Sequence, residues 1–268
     1  VMEAPSLSRY VESGVTLLGD TRRPNGVTFA FTERAGGVSK PPYASLNLGS
    51  RCGDDPAAVA ENRARALAAL GAADIAENLV EPRQVHGDAV VVVDSADQAE
   101  LARARELAQA GADAVVCTVP GVPVLLCFAD CAPIVLVAPG GFAVVHSGWR
   151  GTLARIGAKA LAVLCDACGC EPAEVCAYVG PHVSGKDYEV SPELLATFEG
   201  EFGTIVHAAE TASNLDLSAA IRCALEQAGI DHARIVDTCP STVSNTDRFY
   251  SYRAEGGLCG RHAAIAYL

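Results

Sequence analysis

Three short stretches concentrate the residues of this chain that could do chemistry: Gln84-Val85-His86-Gly87-Asp88, Ala129-Asp130-Cys131-Ala132-Pro133 and Val145-His146-Ser147-Gly148-Trp149-Arg150-Gly151. Among them they offer two imidazoles and a thiolate, on His86, Cys131 and His146. Such a trio is a ligand set for Zn²⁺ that leaves the fourth tetrahedral position to water or substrate, as catalytic rather than closed structural zinc requires. An enzyme is the first expectation. Each residue alone has a plainer reading, because an isolated histidine is commonly structural and a lone cysteine commonly a core residue. The surroundings sharpen the case. Asp130 sets a carboxylate beside Cys131 in an apolar run, which is costly unless it is paired, solvated at a cleft or placed behind a metal ligand. Trp149, Arg150 and Gly151 add a flat apolar surface, a cation and a residue that permits close backbone approach, although Trp149 reads equally well as core packing.

The elements that must position these residues follow from apolar periodicity and turn chemistry. Residues 27–31 read as a strand, and the stretch through Gly36-Gly37 and Pro41-Pro42 as a loop. Asp55-Pro56 starts a helix whose stripe, Val59, Arg63, Ala66, Leu67 and Leu70, ends near Gly71. Strands are predicted at 89–93, 113–117, 122–128, 134–138, 142–146, 175–179 and 263–267, and helices at 96–110, 152–168, 192–202 and 217–228. His86 then lies just before a strand, Cys131 where an apolar strand breaks before Pro133, and His146 at the end of another, so the three can converge on one rim. Strands outnumber helices and do not alternate strictly with them, which argues against a doubly wound dinucleotide fold and for a layered domain with mixed sheets. No G-x-G-x-x-G follows a strand, no Walker loop occurs and no repeat is visible, so nicotinamide, flavin and ATP chemistry lose support.

At 268 residues, half of them apolar and 19% charged, the chain can form one large domain with a substantial core. Its formal net charge of -12 opposes non-specific binding to nucleic acid or an anionic membrane. A small anionic substrate stays open, since a few arginines can build a local positive pocket. The longest apolar region, 122–145, is broken by Asp130, Pro133, Pro139 and Gly140-Gly141 and cannot be a spanning helix. Residues 1–9 lack a basic segment followed by an apolar core, so no secretory signal is read and a cytoplasmic location is expected. Eleven cysteines are then expected as reduced thiols. Cys165, Cys168 and Cys170 could form a metal site, but they fall in a run whose three- and four-residue apolar spacing reads as a buried helix face, which favours core thiols.

Beyond these local readings, the chain resembles the YfiH-like family, also called the laccase-domain or multicopper polyphenol oxidase family, whose members include purine nucleoside phosphorylases and a peptidoglycan editing factor. The resemblance runs through the stretches at 32–39, 45–49, Gly53-Asp54-Asp55-Pro56, Glu61-Asn62-Arg63, the three above, Gly180-Pro181, Tyr188-Glu189-Val190 and Phe249-Tyr250-Ser251-Tyr252-Arg253. It implies a single α+β domain over 1–268, with mixed sheets layered against helices and related to toxin deamidase domains that use a Cys-His pair. It also implies that His86, Cys131 and His146 are zinc ligands. Two departures stand out: Arg51 where relatives commonly have a histidine, and His182-Val183-Ser184-Gly185 in place of a more apolar run. A trinuclear copper cluster would need many histidines, usually in His-x-His pairs; six histidines and no such pair favour zinc over copper. A blue-copper site would want an axial ligand that is often methionine, and the sole methionine is Met2.

The resemblance implies phosphorolysis of purine nucleosides such as adenosine, inosine and methylthioadenosine, with adenosine deamination as a second activity and zinc as Lewis acid or water activator. Asp130 or Asp88 would move protons, the alternative for each being a role in the turn or behind a metal ligand. Arg34, Ser39, Asn47, Gln84 and Arg150 are the candidates for holding phosphate, ribose and base, though Arg34 and Arg150 could equally be structural or surface ion pairs. A metal-free alternative makes Cys131 the nucleophile and His146 or His86 the base of an amidase acting on cell-wall precursors. A third reading, a zinc-stabilised binding protein, would need a fourth protein ligand.

Overall fold

Ser13 and Gly14 both have positive φ, 50° and 80°. That is the mirror-image two-residue turn whose twist matches antiparallel strands. It joins β1 (Ser8–Glu12) to β2 (Val15–Gly19) in a hairpin with Glu12 opposite Val15. Sequence pattern misses this hairpin because Ser-Gly is a weak turn signal and β1 is largely exposed. The computed structural model describes residues 4–208, 213–238 and 240–268. Within them, β1, β2, β3 (Thr28–Thr32), β11 (His262–Tyr267) and β6 (Val124–Phe128) form a sheet in that order, each pair antiparallel. Val80 bridges the free edge of β6 in parallel at Val124.

A second sheet runs in the order β10 (Ile235–Asp237), β9 (Cys176–Val179), β7 (Ala132–Ala138), β8 (Gly141–Ser147), β5 (Ala114–Cys117) and β4 (Val90–Val93). Its outermost pairs are parallel and its inner pairs antiparallel, the mixed pairing expected. The helices are α1 (Pro56–Ala69), α2 (Gln98–Ala110), α3 (Trp149–Leu153), α4 (Ile156–Cys168), α5 (Pro192–Phe202) and α6 (Leu217–Gln227). Asp55, Asp97, Ser191 and Asp216 cap α1, α2, α5 and α6 by accepting from first-turn backbone amides, which is why those helices begin there.

Strand alternation sorts the apolar residues into three cores. Leu17, Ala30, Leu125 and Ile265 face α1, where Ala66 and Leu67 meet them. Phe29, Phe31 and Phe128 from the first sheet meet Val115, Val135, Val144 and Tyr178 from the second, with Leu101 and Ala104 of α2 closing one side. Phe29 and Tyr178 meet across this seam at 4.5 Å between ring centroids, their planes tilted by 50°. On the outer face of the second sheet, Ile134, Leu136 and Val145 pack against α4, α5 and α6. The layers are therefore helix, sheet, sheet, helices, the α+β arrangement expected.

Three elements differ from sequence expectation. The predicted helix over 152–168 is two helices: α3 starts earlier, at Trp149, and Arg155, at φ 58°, breaks the chain before α4. The short edge strand β10 escapes notice because three residues carry no periodicity. The hairpin is the third. Cys165 is buried and Cys168 and Cys170 pack partly buried against the helix-side core, as core thiols should. Among the described residues, no helix is long and apolar enough to cross a membrane.

Candidate metal centre

In β8, Phe142 and Val144 point into the seam between the sheets, so His146, two residues on, emerges at the seam's end. In β5 the same parity holds for Val115 and Cys117 and carries back to Asp113, one residue before the strand. Cys131 lies where β6 has ended and β7 has not begun, and it packs against the same inter-sheet core. His86 approaches from the loop before β4. The ligand atoms of His86, Cys131 and His146 all lie within 4.8 Å of one another, and the two imidazoles meet edge to face at 4.8 Å between centroids.

Asp113 holds this arrangement together. It is fully buried and accepts four hydrogen bonds: Oδ1 from His86 N (2.9 Å) and His146 Nδ1 (2.7 Å), Oδ2 from Val85 N (3.1 Å) and Gly87 N (2.7 Å). Three successive amides turned onto one carboxylate require the left-handed backbone seen at His86, φ 59°. An ionised Asp113 fixes the Nδ1–H tautomer of His146 and turns its Nε2 toward the trio. Burial pushes the Asp113 carboxyl up, but the His146 hydrogen bond and the Gly87 amide more than offset it and hold it below its ordinary value. Burial likewise pushes the Cys131 thiol up; His146 and then His86 override it and bring it down to about 6. His146 responds in the opposite sense: burial lowers it, while Cys131 and Asp113 raise it to about 9. The three side chains thus form an anionic sulfur held by two imidazoles, a donor set suited to zinc.

The separations fit an ion as well. Tetrahedral zinc with Zn–N near 2.05 Å and Zn–S near 2.3 Å sets its ligands roughly 3.3–3.6 Å apart, so closing from a 4.8 Å limit takes only small side-chain shifts. Gly148 keeps that space clear: a Cβ there would stand 3.0 Å from Cys131 Sγ and 3.3 Å from His86 Cδ2.

The trio lies in a cleft of about 600 Å³ whose other walls include Arg51, Glu81, Gln84, Asp130, Tyr188, Tyr252, Arg253 and Arg261. Asp130, at φ 88°, is held by Thr242 Oγ1 (2.6 Å) and the Arg253 amide (2.7 Å). Gln84 reaches the cleft, but its amide pairs reciprocally with the Cys127 backbone at 2.7 and 2.8 Å and seals the edge of β6.

Four other residues expected to touch substrate do not line the cleft. The Arg34 guanidinium donates to the Ala44, Thr246 and Phe249 carbonyls and to Glu255, and lies over the Tyr250 ring. Ser39 donates to Asp54 and accepts from Asn62. Asn47 is buried among Gly49, Asp54 and Arg261. Arg150 is exposed and lies over the Trp149 ring. Loop carbonyls that no ladder satisfies hold the Arg34 and Asn47 side chains. Asp88, exposed and paired with Lys159, is likewise outside the cleft. Sequence reasoning passed over Asp113, Arg253 and Arg261. A carboxylate heading the apolar run of β5 was the available signal for the first, and the stretch ending in Tyr252-Arg253 for the second.

Fold and site together define a layered α+β protein with an open His-Cys-His group in a cleft at the end of its inter-sheet seam. The chain belongs to the multi-copper polyphenol oxidoreductase laccase family, whose sequence model matches residues 28–268. A purine nucleoside phosphorylase of Deinococcus radiodurans is 40% identical over 248 residues, 91% of this chain and 90% of the relative. One from Streptomyces coelicolor is 36% identical over 260 residues, 94% of this chain and all of the relative. Among solved structures, YlmD from Geobacillus stearothermophilus matches with a TM-score of 0.85 at 29% identity, covering 98% of this chain and 99% of that one. The Bacillus licheniformis hypothetical protein YfiH matches with a TM-score of 0.85 at 27% identity, covering 97% and 98%.

Proposed function

We propose that this protein is a zinc-dependent purine nucleoside phosphorylase acting on adenosine, inosine and methylthioadenosine, with adenosine deamination as a second activity, in a reducing cytoplasmic setting. The observation that carries the reading is the His86, Cys131 and His146 trio facing an open cleft with arginines and tyrosines in its walls. Relatives named purine nucleoside phosphorylase support the substrate class. When bound by the trio, zinc would supply Lewis acidity with one coordination position left to water or substrate. The chain's own residues do the rest. Asp113 orients the His146 ring and fixes the backbone that carries His86. Asp130, whose carboxylate accepts from Thr242 and the Arg253 amide, would carry a proton at the cleft's edge. Tyr188 and Tyr252 offer rings against which a purine can stack.

Metal analysis of protein purified without added metal, paired with phosphate-dependent release of adenine from adenosine or methylthioadenosine, tests this. We expect stoichiometric zinc and phosphate-dependent turnover in the wild type. His86→Ala should lose both, with a drop in kcat/KM of about a hundredfold or more. Turnover that persists unchanged after complete zinc removal overturns the metal mechanism.

One observation favours a second reading, a Cys-His amidase. In the metal-free protein Cys131 is a depressed-pKa thiol beside a raised-pKa His146 that Asp113 orients, the electrostatics of a nucleophile and its base. Alkylation of metal-free Cys131 by iodoacetamide should then accelerate as pH rises through about 6, well below an ordinary thiol. His146→Ala should shift that rise upward. Hydrolysis by metal-free protein that alkylation abolishes would establish this second reading; alkylation without any such hydrolysis would dismiss it.

A further inference from the structure

We propose that Arg51 and Arg261 form the oxyanion subsite of the cleft and hold the inorganic phosphate co-substrate; this rests on the phosphorylase reading. Arg51 and Arg261 both line the cleft. Although 210 positions apart, the two arginines spring from one piece of wall. Asn47 Oδ1 accepts from both Gly49 N (3.0 Å) and Arg261 N (2.8 Å), and Leu48 N donates to the Arg261 carbonyl at 2.9 Å. Gly49 lies flat against Arg261: a Cβ there would meet Arg261 Cγ at 2.7 Å. A side chain at position 49 would displace the Arg261 stem from this wall.

Among the described residues neither arginine has a carboxylate partner. Arg51 is steadied by a neutral acceptor, Gln109 Oε1, at 2.7 Å, and Arg261 by the Cys259 and Gly260 carbonyls, both at 2.8 Å. Each fork keeps N–H groups that these bonds do not use. Of the two carboxylates that line the cleft, Glu81 is held by Arg63 at 2.6 and 2.8 Å, so its charge is already matched, and Asp130 is turned onto Thr242 and the Arg253 amide. In a chain of net charge -12, two unmatched guanidinium groups on one cleft wall make a local anion site. Planar forks of this kind suit a tetrahedral oxyanion, and each offers more than one donor to it.

Steady-state kinetics with varied phosphate, together with calorimetric titration of inorganic phosphate alone into the zinc-loaded protein, tests the subsite. Arg51 is exposed, so Arg51→Gln should fold normally. We expect it to raise the KM for phosphate by about tenfold or more, to leave the KM for nucleoside within about twofold, and to weaken calorimetric phosphate binding in parallel. Arg51→Lys should recover part of the loss, and Arg261→Gln should repeat it. If the wild type depends on phosphate and both glutamine variants keep its phosphate KM, the subsite is wrong and the phosphorylase reading stands. If the wild type shows no phosphate-dependent turnover, that reading fails instead. Calorimetric binding abolished by Arg51→Gln would then still support the anion site, and absent wild-type binding would overturn it.

Discussion

At the scale of single residues, Asp113 matters more than its distance from the cleft suggests. Its two oxygens accept four hydrogen bonds, one from the His146 ring and three from the backbone that carries His86. A carboxylate has about four acceptor positions, so nothing else of similar size replaces it. In Asp113→Asn an amide nitrogen would face amide donors and the Nδ1 tautomer of His146 would no longer be fixed. We expect zinc affinity to fall about 10–100-fold, measured by competition with a chromophoric chelator, and stability to fall by about 3 kcal/mol. Unchanged affinity in a folded Asp113→Asn protein would show that the carboxylate supports only the loop.

At the scale of elements, one ion triad ties the hairpin to the rest of the molecule. Glu33, just past β3 and 2% exposed, receives Arg9 from β1 at 2.8 and 3.0 Å and Arg248 from the C-terminal region at 2.5 and 3.0 Å. Burial pushes its carboxyl up, but the two arginines outweigh that and hold it below its ordinary 4.5. A depressed folded-state value means that the unfolded chain binds the proton more readily. The stabilisation is therefore complete above the unfolded value and is lost as pH falls through the folded one, in a window lying below about 4.5. Glu33→Gln should cost about 1–2 kcal/mol in urea unfolding at pH 7, since the arginines it leaves behind reach solvent. The gap between variant and wild type should narrow at pH 3; a gap that stays constant with pH would remove ionic pairing as its cause.

At the scale of the whole molecule, the cleft exists because two sheets pack closely along one seam and part at its end. Gly180, whose amide extends the bonding between β9 and β7 by donating to Pro133, marks how close that packing is: a Cβ there would stand 2.5–2.7 Å from three Phe31 ring atoms. Phe31 is fully buried in the inter-sheet core and has nowhere to retreat. Gly180→Ala should destabilise by about 1–3 kcal/mol through overpacking, read as a lower Tm in a thermal melt. An unchanged melt would mean that the seam has slack.

Local residue patterns carried much of this. Apolar runs and caps defined most strands and helices, because period and capping are encoded over a few neighbouring residues. The types of His86, Cys131 and His146, placed at strand ends and a loop, suffice to name a candidate ligand set. The Ser13-Gly14 hairpin, the three-residue β10 and the break at Arg155 did not show, since each depends on backbone angles or a pairing partner that neighbouring residues do not specify. Arg34, Ser39 and Asn47 look like substrate contacts by type, yet the loop carbonyls and side chains around them decide where they point. The meeting of Asp113 with the His86 loop, and of Arg51 with Arg261, joins residues far apart in the chain. Sequence by itself determined which groups could do chemistry; only the tertiary structure decided which of them face the same cleft, because strand parity at the seam and long-range hydrogen bonds set that direction.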